Sequence, residues 1–185
     1  MSATTLNRPM SPKNHEPRLI AVDLRSQQLG YAVFDGPDRL LDYGGGQLRP
    51  GGRAGSDLAV RRIRQLIKVF APSAIAVKRP ERHVAASRPG MRIMVNAIRR
   101  EAFRHLIPFR LLARDEIREA FSPFSAANKY EIAAVLAEMF PELLSRLPAE
   151  RELGDPEHPR MVVFDAISIG FTYWHGNGAD VPPPD

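Results

Sequence analysis

The sequence contains no cysteine among its 185 residues, so disulfide frameworks, cysteine-ligated zinc and cysteine catalysis are excluded. No apolar run approaches the roughly 20 residues that a membrane-spanning helix needs. The first residues also lack the continuous apolar stretch of a secretory signal, so we expect a cytoplasmic protein that does not engage a membrane. The five histidines show no spacing typical of metal ligands, and the sequence has no glycine-rich phosphate-binding motif.

The composition is that of a single globular domain. Hydrophobic residues make up 44% of the chain and charged residues 25%, which allows a core of useful size. Lys and Arg number 26 against 21 Asp and Glu, which gives a net charge of +5. Most of the basic residues are arginine, the side chain best suited to bidentate phosphate contacts. An ordinary solvated surface explains this modest excess equally well.

The pattern of apolar residues predicts a β-meander followed by alternating helices and strands. Ser56 is the expected N-cap of the first helix, and the glycines at 44–46 are expected to form a turn after the third strand. We predict an α/β fold with one mixed five-stranded sheet and helices on its faces. This domain is expected to occupy residues 18–175, between flexible tails at 1–17 and 176–185. Its elements are predicted at 19–24, 30–34, 40–43, 56–70, 73–77, 89–106, 109–112, 115–121, 126–140 and 161–174.

Two isolated aspartates lie in apolar elements near opposite ends of this domain. Asp23 shares one face of its strand with Leu19 and Ala21, because side chains alternate along a strand. Asp165 lies in the apolar last helix. Each has a purely structural explanation, Asp23 as a cap of the following hairpin and Asp165 as a first-turn residue favoured by the helix dipole. Buried carboxylates are costly unless they are paired or bound to a metal, so the two together indicate one shared metal site.

Three stretches of the chain resemble RuvC-type Holliday junction resolvases of the ribonuclease-H-like superfamily. They are the first two strands within 19–34, the helix start at 128–133 and the last helix at 164–169. In this order they span nearly the whole domain, from 18 to 174. The resemblance implies a ribonuclease-H-like fold and an endonuclease that acts on branched or structured nucleic acid, with DNA favoured over RNA. It also implies a homodimer, since members of this group are often dimers.

The resemblance further implies a two-metal mechanism of phosphodiester hydrolysis. Asp23 would bridge two Mg²⁺ or Mn²⁺ ions, Asp165 would hold one of them, and Lys129 would lie near the phosphate. The sequence departs from the family pattern at two positions. Lys78 stands where the family has a glutamate at the end of the fourth strand, and Val162 stands where it has an aspartate.

Lys78 allows two interpretations. In the first, its ammonium group lies between Asp23 and Asp165, replaces the metal and leaves a catalytically silent nucleic-acid-binding module without a cofactor. In the second, Lys78 turns outward and another carboxylate, Glu81 or Glu157, completes an active site. The sequence leaves both interpretations open.

A set of basic residues follows the fourth strand and continues along the second helix. Because they adjoin the candidate metal site, we expect them to contact phosphates. The alternative is ordinary solvation of an amphipathic helix, with Glu101 as an internal partner. The predicted nucleic-acid-binding residues are Lys78, Arg79, Arg82, Arg88, Arg92 and Arg99.

Overall fold

The computed structural model of the chain describes residues 16–48, 52–81, 86, 88–150 and 156–176. The strands of its sheet are β1 (Arg18–Leu24), β2 (Gln28–Asp35), β3 (Leu40–Gln47), β4 (Ala74–Lys78) and β5 (Phe109–Leu112). Their order across the sheet is β3-β2-β1-β4-β5. The first three form an antiparallel meander, while β4 pairs in parallel with both β1 and β5. The predicted mixed five-stranded sheet is therefore confirmed.

Helices cover both faces of the sheet, as predicted. They are α1 (Gly52–Phe70), α2 (Pro89–Arg104), α3 (Arg114–Phe121), α4 (Lys129–Met139) and α5 (Met161–His175). Helices α1 and α2 pack on one face, and α3, α4 and α5 pack on the other. Short 3₁₀ helices follow α3 at 122–124 and α4 at 141–146.

The alternation of side chains along β1 decides which helical layer each residue meets. Ile20 and Val22 belong to the apolar cluster beneath α1 and α2. Leu19 and Ala21 belong to the cluster beneath α3, α4 and α5. Asp23 continues the second series, so its carboxylate lies on the face that α5 covers, and it is only 3% exposed.

Helix α5 lies close against the sheet because a glycine leaves room for its backbone. All of its residues from Met161 to Thr172 are buried, which fits its nearly continuous apolar sequence. Gly30 on β2 is the cross-strand partner of Asp23, and a Cβ atom at Gly30 would overlap the carbonyl oxygen of Val162. This close approach brings the first turns of α5 to the end of β1.

A substitution at Gly30 tests the importance of this contact. Gly30→Ala is expected to lower the free energy of unfolding by about 2 kcal/mol, because α5 must move away from the sheet to admit the methyl group. Urea unfolding followed by circular dichroism measures the loss. Gly46→Ala is the matched control on β3, since a Cβ atom there meets nothing within 4 Å. If both variants lose the same free energy of unfolding, the loss comes from the backbone of the strands and not from the contact with α5.

A buried carboxylate ties α1 to α2. Glu101 is 1% exposed and accepts hydrogen bonds from Arg64 at 2.6 and 2.9 Å and from Arg104 at 3.0 Å. The Nε2 atom of His105 lies 3.4 Å from the same carboxylate. The hydrogen bonds from Arg64 are the main reason that the pKa of Glu101 falls to about 2, against the opposing effect of burial. These contacts hold the two helices side by side.

Two predicted boundaries early in the chain differ from the structure. The glycines at 44–46 are not a turn but part of β3, because pairing with β2 continues as far as the Gln28–Gln47 pair. Ser56 does not cap α1, since the helix already begins at Gly52 and Ser56 is buried within it. For β3, pairing with the neighbouring strand thus extends the element through a local turn signal.

Helix α4 begins three residues later than predicted because Asn128 caps it. The Asn128 side chain accepts hydrogen bonds from the backbone N–H groups of Tyr130 and Glu131. The Glu131 carboxylate in turn accepts a hydrogen bond from the Asn128 backbone N–H, which completes a capping box. Lys129 is consequently fixed as the first residue of the helix.

The ends of the chain fall largely outside this description. The predicted tails, 1–17 and 176–185, lie almost entirely beyond the described residues and stay predictions. Among the helices that the structure describes, none combines the length and the apolar character needed to cross a bilayer.

Candidate functional site

The two isolated aspartates face each other where β1 meets α5. Asp23 comes from the end of β1 and Asp165 from the second turn of α5. One arginine side chain joins them. The Nε atom of Arg25 lies 3.2 Å from Oδ2 of Asp23, and its Nη2 atom lies 2.7 Å from Oδ2 of Asp165. The aspartates therefore share a single pocket with a guanidinium group between them.

A lysine and a glutamate complete this network. Lys129 donates hydrogen bonds to Oδ2 of Asp165 at 2.9 Å and to Oε1 of Glu157 at 2.6 Å. The other Glu157 oxygen lies 2.9 Å from Nη1 of Arg25. The network thus contains three carboxylates, and each of them has at least one cation in direct contact.

Lys78 contributes its charge to the pocket without a direct ion pair. The parallel register pairs Val22 with Val77, so Lys78 lies beside Asp23 at the ends of adjacent strands. Its positive charge acts on both Asp23 and Asp165. Within the described part of the chain it has no carboxylate oxygen within 4 Å. The place between the aspartates, where the first interpretation of the sequence put Lys78, is occupied by Arg25.

The two aspartates have shifted pKa values of opposite direction. Burial is the main cause that raises the pKa of Asp23 to about 6, and repulsion from Asp165 adds to it. Burial also opposes ionisation of Asp165, but attraction from Lys129, Lys78 and Arg25 outweighs it and lowers the pKa of that carboxyl. Of the two aspartates, Asp165 therefore holds its negative charge more firmly, since both Arg25 and Lys129 contact it directly.

The residues in this pocket do not fit a Mg²⁺ site. Mg²⁺ requires oxygen ligands in near-octahedral arrangement and usually one or two free carboxylates. Here an oxygen of each carboxylate is already bonded to Arg25 or Lys129, and the position of a further aspartate in the family pattern is the apolar Val162. In the described residues, no three acidic or histidine side chains are grouped so that they could hold a metal ion.

A cleft of about 620 Å³ opens beside the network. Apolar side chains such as Ile117 and Met161 form part of its wall, so it offers both charged and apolar contacts. A second cavity of about 420 Å³ is lined by Arg25 together with residues such as Arg88. The cationic residues that line the main cleft are Lys78, Arg114, Arg118 and Lys129.

The structure places some of the predicted site residues in this pocket and others outside it. Of the two carboxylates proposed to complete the site, Glu157 joins the network, whereas Glu81 pairs with Arg114 at 3.3 Å. The predicted phosphate-binding residues spread over several surfaces instead of one. Lys78 lines the main cleft, and its neighbour in sequence, Arg79, is exposed. Arg88 donates a hydrogen bond to Ser26 at 3.4 Å, while Arg92 and Arg99 are exposed on α2. Arg82 lies outside the described residues.

Arg25 is the important site residue that the sequence analysis missed. It lies between the predicted strands 19–24 and 30–34, in a segment for which the sequence predicts no site residue. The available signal was its position two residues after Asp23, since alternation along a strand puts residues i and i+2 on the same face. An arginine on the face of a buried aspartate is a ready counter-ion for it.

The sheet order and the two helical layers are those of a ribonuclease-H-like fold of the RuvC type. RuvC from Thermus thermophilus, solved in complex with a Holliday junction substrate, has a TM-score of 0.63 and 19% identity, covering 85% of this chain and 92% of that one. The yeast mitochondrial Holliday junction resolvase Ydc2 has a TM-score of 0.50 and 16% identity, covering 89% and 83%. No protein-family model matches the sequence, and no curated protein does. These likenesses establish the fold.

Proposed function

We propose that this chain is a RuvC-like module that binds branched DNA and does not cleave it by metal-dependent hydrolysis. The observation that carries the proposal is the Arg25 guanidinium, which contacts Asp23 at 3.2 Å and Asp165 at 2.7 Å. A cation fixed between these carboxylates repels a divalent metal ion, and the two charges in direct contact attract each other strongly in a buried pocket. This is the silent interpretation of the sequence, with Arg25 in the role first given to Lys78.

Two exposed arginines that line the main cleft support DNA as the ligand. Arg114 and Arg118 are exposed on α3 and line the cleft beside Lys129. Arginine and lysine side chains that neutralise phosphates supply most of the affinity of proteins for nucleic acid. The structural neighbour from T. thermophilus was solved with a Holliday junction, which favours a branched DNA over other polyanions.

A second candidate function is the metal-dependent endonuclease implied by the family resemblance, with Mg²⁺ or Mn²⁺ as cofactor. The convergence of Asp23 and Asp165 in one pocket favours it. This function requires Arg25 to break its ion pairs with both aspartates when DNA binds. Glu157 would then be the nearest further carboxylate that could complete the metal site. This requirement makes it the weaker candidate. The homodimer implied by the resemblance stays a prediction for either function.

The decisive experiment compares binding and cleavage of a four-way DNA junction in EDTA and in Mg²⁺. We expect binding in both buffers, a steep loss of affinity with added salt, and no cleavage. The double variant Arg114→Gln/Arg118→Gln should bind the junction about tenfold more weakly, with a salt slope reduced by about 2, because two phosphate contacts are lost. The matched control Arg39→Gln/Arg146→Gln removes two exposed arginines that do not line the cleft.

Three outcomes decide between the candidates. Mg²⁺-dependent cleavage that Asp23→Asn abolishes would establish the endonuclease and overturn the proposal. Equal effects of the cleft pair and the control pair would assign binding to a site other than the cleft. Absence of any binding to the junction at low salt would show that the chain kept the fold without the nucleic-acid function.

A further inference from the structure

The positive charge of the chain is concentrated on two helices. Helices α1 and α2 together contain nine Lys and Arg residues and two acidic residues, a net charge of +7, whereas the whole chain has +5. The remainder of the protein is therefore slightly acidic. One of the two acidic residues of the helices, Glu101, is buried and already neutralised by Arg64 and Arg104.

The outer side of the two helices presents cations without partners. Arg61 and Lys68 are exposed on α1 and lie two helical turns apart, so they share one stripe about 10 Å long. Arg92 and Arg100 are exposed on α2. Among the described residues, none of these four side chains has a hydrogen-bond or ion-pair partner. The outer helical surface, as we call these four residues with Arg64 and Arg104, consequently has a positive field, most of which comes from the four unpaired cations.

Such a field is costly in the isolated protein. Like charges on neighbouring turns repel each other, and an unbalanced patch opposes the compact state. A partner with regularly spaced negative charge offsets this repulsion. Each strand of duplex DNA has one negative charge per about 3.4 Å of helix axis, so it offers closely spaced phosphates to the cations of the 10 Å stripe on α1. The charge complementarity favours duplex DNA bound through its backbone.

This surface is separate from the pocket. Helices α1 and α2 pack on the face of the sheet that Ile20 and Val22 line, whereas Asp23, Asp165 and the cleft lie on the opposite face. We infer that the outer helical surface is a second DNA-binding surface, which takes a duplex without reading its sequence while the cleft holds a branched DNA. The inference rests on the proposed function only in its statement that the cleft holds a branched DNA. Duplex binding by the outer helical surface does not depend on it. A chain with both surfaces brings two DNA molecules together.

Three matched double variants test the second surface. Arg61→Gln/Arg100→Gln removes one unpaired arginine from each helix. Arg114→Gln/Arg118→Gln removes the two arginines that line the cleft, and Arg39→Gln/Arg146→Gln is the control. Binding of a linear 25-base-pair duplex and of a four-way junction is measured by fluorescence anisotropy over a range of salt concentrations. A capture assay then asks whether the protein on an immobilised junction retains a labelled linear duplex.

We expect the helix pair to bind the linear duplex at least tenfold more weakly than wild type, with a salt slope lower by about 2, and to keep most of its affinity for the junction. The cleft pair should show the reverse preference. Both should lose capture of the second DNA, whereas the control pair should keep it. Unchanged melting temperatures for all three pairs are expected, since the substitutions lie at exposed positions.

Other results overturn the inference. Duplex binding by the helix pair equal to that of the control pair would remove the second surface, while intact junction binding would leave the proposed function standing. If wild type does not bind the junction but binds the duplex through Arg61 and Arg100, the proposed function falls and the second DNA-binding surface stands. Binding of wild type to phosphatidylserine-containing vesicles but not to duplex would assign the same surface to a membrane.

Discussion

The double variant Arg25→Gln/Lys78→Glu is expected to become more stable when Mg²⁺ is added, whereas the wild-type chain is expected not to respond. Removing Arg25 frees Asp23 from its direct ion pair and leaves Asp165 paired with Lys129 alone. A glutamate at position 78 adds an acidic side chain beside Asp23, because the two positions are neighbours at the ends of β1 and β4. The pocket then has the surplus of carboxylates that a hard divalent cation requires.

The size of this response follows from binding linkage. A ligand at about a hundred times its dissociation constant stabilises a folded protein by about 2.7 kcal/mol, which for a chain of this length raises the melting temperature by roughly 5–10 °C. The melting temperature is measured in MgCl₂ and in NaCl of equal ionic strength. In EDTA the double variant should be less stable than wild type, since its clustered carboxylates repel each other.

Related variants identify the source of the effect. Adding Asp23→Asn to the double variant should abolish the response to Mg²⁺, and either single substitution should give a smaller response than the pair. A rise of the same size in wild type would show that Arg25 yields to the metal ion. The pocket would then be an ordinary metal site, and the non-cleaving function would lose its main support.

Glu101→Gln is expected to lower the free energy of unfolding by about 3 kcal/mol at pH 7. The substitution keeps the shape of the side chain but replaces charge-assisted hydrogen bonds from Arg64 and Arg104 with weaker ones. Because α1 and α2 meet at this carboxylate, the loss affects the packing of both helices. Urea unfolding measures it, and Asp57→Asn is the control, since Asp57 is an exposed carboxylate on α1.

The same residue predicts a dependence on pH. The folded pKa of Glu101 is about 2, below its ordinary value of 4.5, so its contribution to stability is complete above about pH 4.5. That contribution is lost as the pH falls from 4.5 towards 2. The difference in stability between wild type and Glu101→Gln should therefore shrink over this range. A difference that stays constant down to pH 3 would exclude ionisation of Glu101 as its origin.

The sheet could be predicted from sequence because its signals are local. The alternation in β1 and β2 and the change to helical periodicity after residue 56 fix the type and order of the elements. The glycines at 44–46 could not be assigned in this way. Their place in β3 depends on pairing with β2. A run of glycines by itself is compatible both with a turn and with a strand that another part of the backbone approaches closely.

The candidate site was only partly predictable. Asp23 and Asp165 could be expected to meet, because each is a carboxylate in an apolar element that needs a partner. The cations that pair with these aspartates, by contrast, are decided by how far each basic side chain extends across the pocket. Lys78 lies beside Asp23 in the sheet, but the direct ion pairs are made by Arg25 and Lys129. Distances of this kind follow from how α4 and α5 pack on the sheet and are not encoded in spacing along the chain.

The Arg25 network also acts as a non-covalent cross-link in a chain that has no disulfide. Through Asp165, Glu157 and Lys129 it joins the hairpin after β1 to the starts of α4 and α5, both of which lie more than a hundred residues further along the chain. A fluctuation that releases one of these segments must break the bonds of the others. The three segments should therefore open as one cooperative unit, so the pocket is expected to resist local unfolding.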